Sequence, residues 1–465
     1  MHKLLKRNPD YAILVGTNAL AVATTAIHPL IPLFMAGGLL ATIFIAANQQ
    51  LLLVLLVTVS LVKGALEANF YFFQTVDYSL IISGLALLIL GWKLLNPEIR
   101  QHLGEYRLAI TGYLVWVVWM GVASTYAPRM DWALLHSLRF AFFTSILFIG
   151  PLIVINSIKD SRQVLIIFFV VGGLGALYLN GNLAYILASG APLVNLTRLT
   201  VLKANPIASA RVFAICAAMV ASFVLTQRKI NWRWLFLMVF FIISAIFTGS
   251  RGPVLSFLAA VSVMAVISGR ISLKRLSLLV AALLFIGIAL MLLAPAGLTT
   301  RFGLTFAGEI ALTSQGLTQF STVTNRFQMW QMALELWTSD LRHFLVGEGP
   351  AGYGILFPWR NVKYPHNLPL EILAEFGLIG MAVFLVHITT IGKETILRLK
   401  SGLSTEEQLW LAATLTMAAS TMFSGDLNDN RMLWFLMSCL LASINVRRRE
   451  QMAQHQSKTG KRAAE

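Results

Sequence analysis

Apolar runs of about 17–22 residues recur along nearly the whole chain, each long enough to cross a hydrocarbon core of roughly 30 Å. No water reaches that core, so only helices and closed barrels can satisfy their backbone N–H and C=O groups there. Barrel strands alternate polar and apolar residues over about ten positions. These runs are longer and uniformly apolar, so the expected fold class is all-α, a polytopic membrane bundle. Composition agrees, with 57% hydrophobic and only 12% charged residues in 465. A soluble domain carries roughly 25% charged residues.

Spans are expected near 11–27, 29–46, 51–68, 78–95, 108–126, 137–156, 163–188, 206–226, 234–249, 252–268, 276–294, 367–390, 408–425 and 431–446. That is about fourteen helices, or twelve if the shortest early runs form a re-entrant pair. The basic, uncleaved N-terminus reads as the start of a retained first helix. Lys63 and Glu67, four residues apart, are expected to pair. Lys and Arg fall in every second loop, from Lys3, Lys6 and Arg7 through Arg270, Lys274 and Arg275 to Arg447, Arg448 and Arg449. By the positive-inside rule those loops and both termini face the cytoplasm. The net charge of +16 is therefore topological, and nucleic acid is not an expected partner. Cys216 and Cys439 lie inside apolar runs and read as packing residues.

The expected organisation is membrane helices over 1–294, a large periplasmic loop over 295–365, further membrane helices over 366–446, and a basic, disordered tail over 447–465. Within the loop, Phe327, Trp330, Leu334, Trp337 and Leu341 form a helical stripe, and Asn325 with Gln328 reads as a capping box. An amphipathic helix is expected there, either lying on the membrane surface or packed on the rest of the loop. After it, Gly347, Gly349, Gly352 and Gly354 read as a flexible turn. No Gly-Lys-Ser/Thr follows, so this is not a nucleotide phosphate loop.

The same map puts an unexpected number of cations on the outer side: Arg198, Lys203, Arg211, Arg251, Arg301, Arg326, Arg342, Arg360, Lys363 and Arg431. A charge in hydrocarbon costs at least about 2.5–3.5 kcal/mol, so such residues are functional candidates. Arg211 lies inside an apolar run, and Arg251 stands in a tight break, Thr248-Gly-Ser-Arg-Gly252. Arginine grips phosphate bidentately and keeps its charge, which suits a pyrophosphate. Snorkelling to lipid headgroups is the competing reading for Arg251. No His-Glu-x-x-His, paired cysteines or outer Asp-x-Asp is present, so no metal site is expected.

His366 precedes Asn367, a natural helix cap, and Pro369 is tolerated in the first turn that follows. The histidine thus stands at a positive helix end, which keeps its imidazole neutral and able to accept a proton. Glu371 and Glu375 lie on the same helix, where they could orient a partner or pair with a buried arginine.

His366-Asn367, nine residues, Gly377, two residues and Gly380 together resemble the signature of the bacterial O-antigen ligases and polymerases. Thr248–Gly252 and Asn325–Trp337, followed by the glycine segment, add to the likeness, which covers roughly 200–440. The resemblance implies a helical inner-membrane enzyme without cofactor. It implies metal-independent, inverting transfer of a glycan from an undecaprenyl diphosphate donor to an acceptor hydroxyl of lipid A-core or another glycan. His366 would be the catalytic base; Arg211, Arg251 and Arg326, with Asn367 and Arg198, would bind substrate. Arg198 with Leu202 looks like a short arginine motif of the ligases. The loop pattern of some polymerases, Arg and ten residues to Gly, fails because Trp337 stands where Gly is needed. Ligase is therefore the expectation, with an O-antigen or exopolysaccharide polymerase as its alternative. A transporter of lipid-linked glycan is the rival of another class; it would call for an internal repeat, which the sequence lacks.

Reporter fusions after Gly349 and after Lys400 should score on opposite sides of the membrane. Same-side results would overturn the topology.

Overall fold

Where the chain is apolar it folds as helices. The computed structural model describes residues 44–45, 47–189, 199–227, 231–268, 309–313, 316–320, 322–357 and 363–464. The chain divides into two compact units, Met1–Leu52 and Leu53–Glu465, and the architecture that follows is that of the second. Its helices are α1 (Gln49–Val57), α2 (Ser60–Asn69), α3 (Tyr71–Thr75), α4 (Tyr78–Lys93), α5 (Pro97–Gly104), α6 (Arg107–Ser124), α7 (Met130–Val154), α8 (Ile158–Ala188), α9 (Pro206–Thr226), α10 (Trp232–Phe247) and α11 (Arg251–Ser268). An antiparallel hairpin, β1 (Glu309–Thr313) with β2 (Gly316–Phe320), pairs Glu309 with Phe320 and Thr313 with Gly316. Then come α12 (Thr322–Trp337), α13 (Leu341–Val346), α14 (Gly352–Leu356), α15 (Leu368–Ser401), α16 (Thr405–Thr421) and α17 (Met432–Ala464).

By length and composition, five helices among the described residues can cross a membrane: Arg107–Ser124, Met130–Val154, Ile158–Ile186, Pro206–Thr226 and Leu368–Leu399. The number rises to seven if two bent pairs each count as one span, α1–α2 at 76° and α4–α5 at 98°. This is fewer than the sequence count. The expected runs at 11–27 and 276–294 lie outside the described residues. Others fold as shorter apolar helices, Trp232–Phe247 and Arg251–Ile267. Helix α9 is the enclosed centre, buried nearly throughout from Ser209 to Leu225, and it packs on α10, α11 and α16. Helices α4, α6, α7 and α8 instead leave Leu88, Leu108, Leu135 and Leu174 open, an apolar exterior suited to lipid. Cys216 and Cys439 are both buried and unpaired, as expected of packing residues. Lys63 lies 3.6 Å from Glu67 but closer, at 2.8 Å, to Asp77.

The tail is a correction. Helix α17 runs on to Ala464 rather than ending near Arg447. Its polar half is rich in Arg, Gln, Ala and Lys, all good helix formers, so the apolar half can propagate into it.

Helix α12 also differs in detail. It begins at Thr322, so Asn325 lies within it and does not cap it. Of the expected stripe, Phe327 and Leu334 are exposed on α12, at 60% and 42%, while Leu341 falls on α13. The contact with the loop is made by the adjacent face: Ala333 and Leu336, with Met332, pack on Tyr353, Leu356 and Ala374. Packing and an open apolar face thus coexist on one helix.

The glycine segment is a second correction. Gly347, Glu348, Gly349 and Pro350 are buried. Helix α15 breaks at Gly377, with φ 63° and ψ −166°, so carbonyls just before the break lose their helical partners. The segment supplies replacements: Glu348 N–H donates to Ala374 O at 3.0 Å and Gly349 N–H to Glu375 O at 2.7 Å. Main chain meets main chain, since a side chain on Gly347 would strike the Glu375–Phe376 peptide and one on Gly377 the Leu345–Val346 peptide. The far side is anchored too. Tyr126 Oη donates to Val346 O at 2.6 Å, and His343 bridges Asp340, at 2.7 Å, and Glu348.

Gly377→Ala combines positive φ with this backbone clash and should cost more than the roughly 1–2 kcal/mol of the conformation alone. Gly392, helical with no neighbour within 4 Å of an added Cβ, is the control. Gly392→Ala should be neutral or stabilising by up to about 1 kcal/mol. Thermal midpoints of the two detergent-purified variants test this; equal midpoints would remove the clamp's importance.

Candidate functional site

Asn205 accepts from Ile207 N–H at 2.9 Å and, with Pro206 in the first turn, starts α9. Arg211 follows inside the helix, only 6% exposed. Its charge is met by the turn between α16 and α17. Nε donates to Ser420 Oγ at 3.1 Å, Nη1 to Asp429 O at 3.4 Å, and Nη2 to Ser424 O at 2.5 Å and Asn430 Oδ1 at 2.8 Å. Gly425 is needed beneath it, because φ is 80° and an added Cβ would lie 2.8 Å from Nη2. Arg211 therefore fastens this turn to the central helix, and snorkelling does not describe it. It also lines a cavity of about 140 Å³ with Asn205, Tyr364, Asp429 and Arg431.

His366 follows the bent Lys363–Pro365 segment and lies in the left-handed region at φ 57°. Asn367 caps α15 as expected: Oδ1 accepts from Leu370 N–H at 3.1 Å, and Nδ2 donates to Met422 O at 3.3 Å. Both ends of that amide are engaged with the chain. The His366 ring meets the Tyr364 ring edge-on at 4.5 Å, and its Nδ1 is buried without a partner. Burial, reinforced by the Arg326 guanidinium, lowers its pKa to about 4. The imidazole is therefore neutral at physiological pH. Burial first, then the Asp429 and Asp426 carboxylates, pushes the Tyr364 phenol above its usual range, so it remains a hydroxyl donor.

The structure thus gathers Arg211, Arg326 and His366 around Tyr364. Arg251 opens α11, half-buried, where Gly252 packs on Phe423 beside the same turn. Arg198 lies outside the described residues. Glu371 and Glu375 are buried, but their recorded bonds are to backbone amides and not to arginine. Glu371 Oε1 accepts from Leu427 N–H and Glu375 Oε2 from Ala351 N–H, each at 3.0 Å. Tyr364, Asp426 and Asp429 were not singled out from the sequence. The signal was present in Ser424-Gly-Asp-Leu-Asn-Asp-Asn-Arg431, a polar stretch between two apolar runs, which is costly in a bundle unless it is used.

A buried arginine with half-buried ones, a neutral histidine at a helix start and a hydroxyl donor form a site able to hold an anionic group and accept a proton beside it. A family model described as O-antigen ligase matches residues 236–385, which span the Arg251 turn, the glycine clamp and His366. A search of curated proteins finds no match. Residues 236–385 are thus similar to the O-antigen ligase family, in a chain with five to seven described helices or bent helix pairs long and apolar enough to cross a membrane.

Proposed function

We propose that this protein is an O-antigen ligase that transfers a glycan from undecaprenyl diphosphate to a hydroxyl of lipid A-core at the periplasmic face of the inner membrane. The observation that carries the reading is the neutral, partnerless Nδ1 of His366 beside Tyr364 and Arg326. His366 takes the acceptor hydroxyl's proton as its oxygen bonds to the anomeric carbon. The bond from that carbon to the diphosphate breaks with inversion, and the leaving diphosphate keeps the electron pair. Arg251 and Arg326 bind the diphosphate and stabilise its growing charge without a metal ion. Arg211 contributes its charge while holding the turn, and Asn367 aids substrate binding by fixing the start of α15. Arg198 is assigned to the same donor on sequence grounds. On this reading the 295–365 loop faces the periplasm.

His366→Ala should abolish transfer while donor binding stays near wild type, since a positioned base contributes roughly 10²–10⁴-fold. With the pKa at about 4, the base form appears as pH rises through about 4 and transfer is level above it. Arg326→Gln removes a charge that disfavours the imidazolium, so the limb should move to higher pH. A folded His366→Ala protein with near wild-type transfer overturns this mechanism; loss of donor binding instead makes His366 a diphosphate ligand.

Arg251→Ala should lose transfer at normal membrane levels, and Arg251→Lys should restore it only in part, because lysine lacks the bidentate fork. Full activity in Arg251→Ala returns the residue to headgroup snorkelling.

A further inference from the structure

A second, larger cavity of about 470 Å³ lies across the Lys363–Tyr364 and Asp426–Asp429 segments from the first. Lys363 and Asp426 line the larger one, Tyr364 and Asp429 the smaller. The two walls are tied together, since Asp429 N–H donates to Asp426 Oδ1 at 2.7 Å. Its volume falls in the range of roughly 300–1,000 Å³ typical of small-molecule sites.

The chemistry of the two cavities differs. The smaller has two guanidinium groups against one carboxylate. The larger has three carboxylates, Glu371, Glu375 and Asp426, facing three cations, Arg129, Arg139 and Lys363. Three carboxylates disfavour a phosphate and three cations disfavour an amine. A neutral ligand rich in groups that both donate and accept hydrogen bonds matches both signs at once, and sugar hydroxyls do so. Two residues of its wall each carry a buried polar atom without a hydrogen-bond partner. Glu371 is 1% exposed, and its Oε2 has no partner; His136 Nε2 is likewise buried and unpartnered. Trp132 borders the cavity with its side chain 51% exposed, offering an aromatic surface to a sugar's C–H face.

We infer that this cavity binds a pyranose ring of the acceptor glycan, with Glu371 and His136 bonding its hydroxyls and Trp132 packing on the ring. The inference rests on the proposed transfer reaction for the identity of the acceptor.

The test is calorimetric titration of the purified full-length protein with core oligosaccharide freed of lipid A by mild acid, with no donor present. Wild type should bind. Trp132→Ala, at a half-exposed position, should bind at least roughly tenfold more weakly. Glu371→Gln keeps an oxygen for Leu427 N–H but no carboxylate, and should weaken binding by roughly tenfold. Both should bind the diphosphate-linked donor as wild type does. Failure of wild type to bind the oligosaccharide, wild-type affinity in Trp132→Ala, or equal weakening for donor and oligosaccharide would each overturn the assignment. Binding is read without turnover. Loss of the His366 mechanism would leave this result standing, and loss of this result would leave transfer standing.

Discussion

An arginine inside the central helix must find oxygen atoms, and the arrangement around α9 follows from that need. Hydrocarbon offers no partner for the Arg211 guanidinium, and hydrogen bonds to a charge are worth about 1.5–3 kcal/mol each. Ser420, Ser424, Asp429 and Asn430 supply them from one turn. The turn is consequently drawn over the start of α9, and with it come Asp426 and Arg431. The cation that anchors the bundle thereby also forms a wall of its polar cavity.

A second constraint acts at right angles to the first. Helix α15 carries His366 at its entrance and breaks at Gly377, eleven residues after it. A broken helix inside a bundle exposes carbonyl groups that water cannot reach. The 347–349 segment satisfies two of them, and it can do so only where glycine lets the backbones meet. Tyr126, Asp340 and Glu348 hold that segment in turn. The entrance of α15 is thus braced from the loop side by backbone bonds and from the turn side by Asn367 and Glu371. Such bracing keeps an imidazole in a left-handed conformation that a free loop would seldom populate.

The buried charges divide by role. Arg211, Glu371 and Glu375 each spend hydrogen-bonding capacity on the chain, while Glu371 Oε2 and His366 Nδ1 remain without partners. Unsatisfied buried polar atoms cost free energy, and the proposed substrates would give both of these a partner.

Hydrophobic run length alone determined that this chain is a membrane helix bundle, because the bilayer leaves an apolar run of that length few other structures. Asn367 was legible as a cap for an equally local reason: a side chain three residues away satisfies the amide. His366 was legible from its place before the cap. What the glycines do was not legible, since a main-chain contact between residues some thirty positions apart leaves only an unexplained Gly in the sequence. Nor was the pairing of Arg211 with the 420–430 turn, more than two hundred residues away, or the meeting of Trp132 with Glu371. Those contacts arise from how helices pack, and only the tertiary structure decided which polar interruptions of the apolar runs share a cavity.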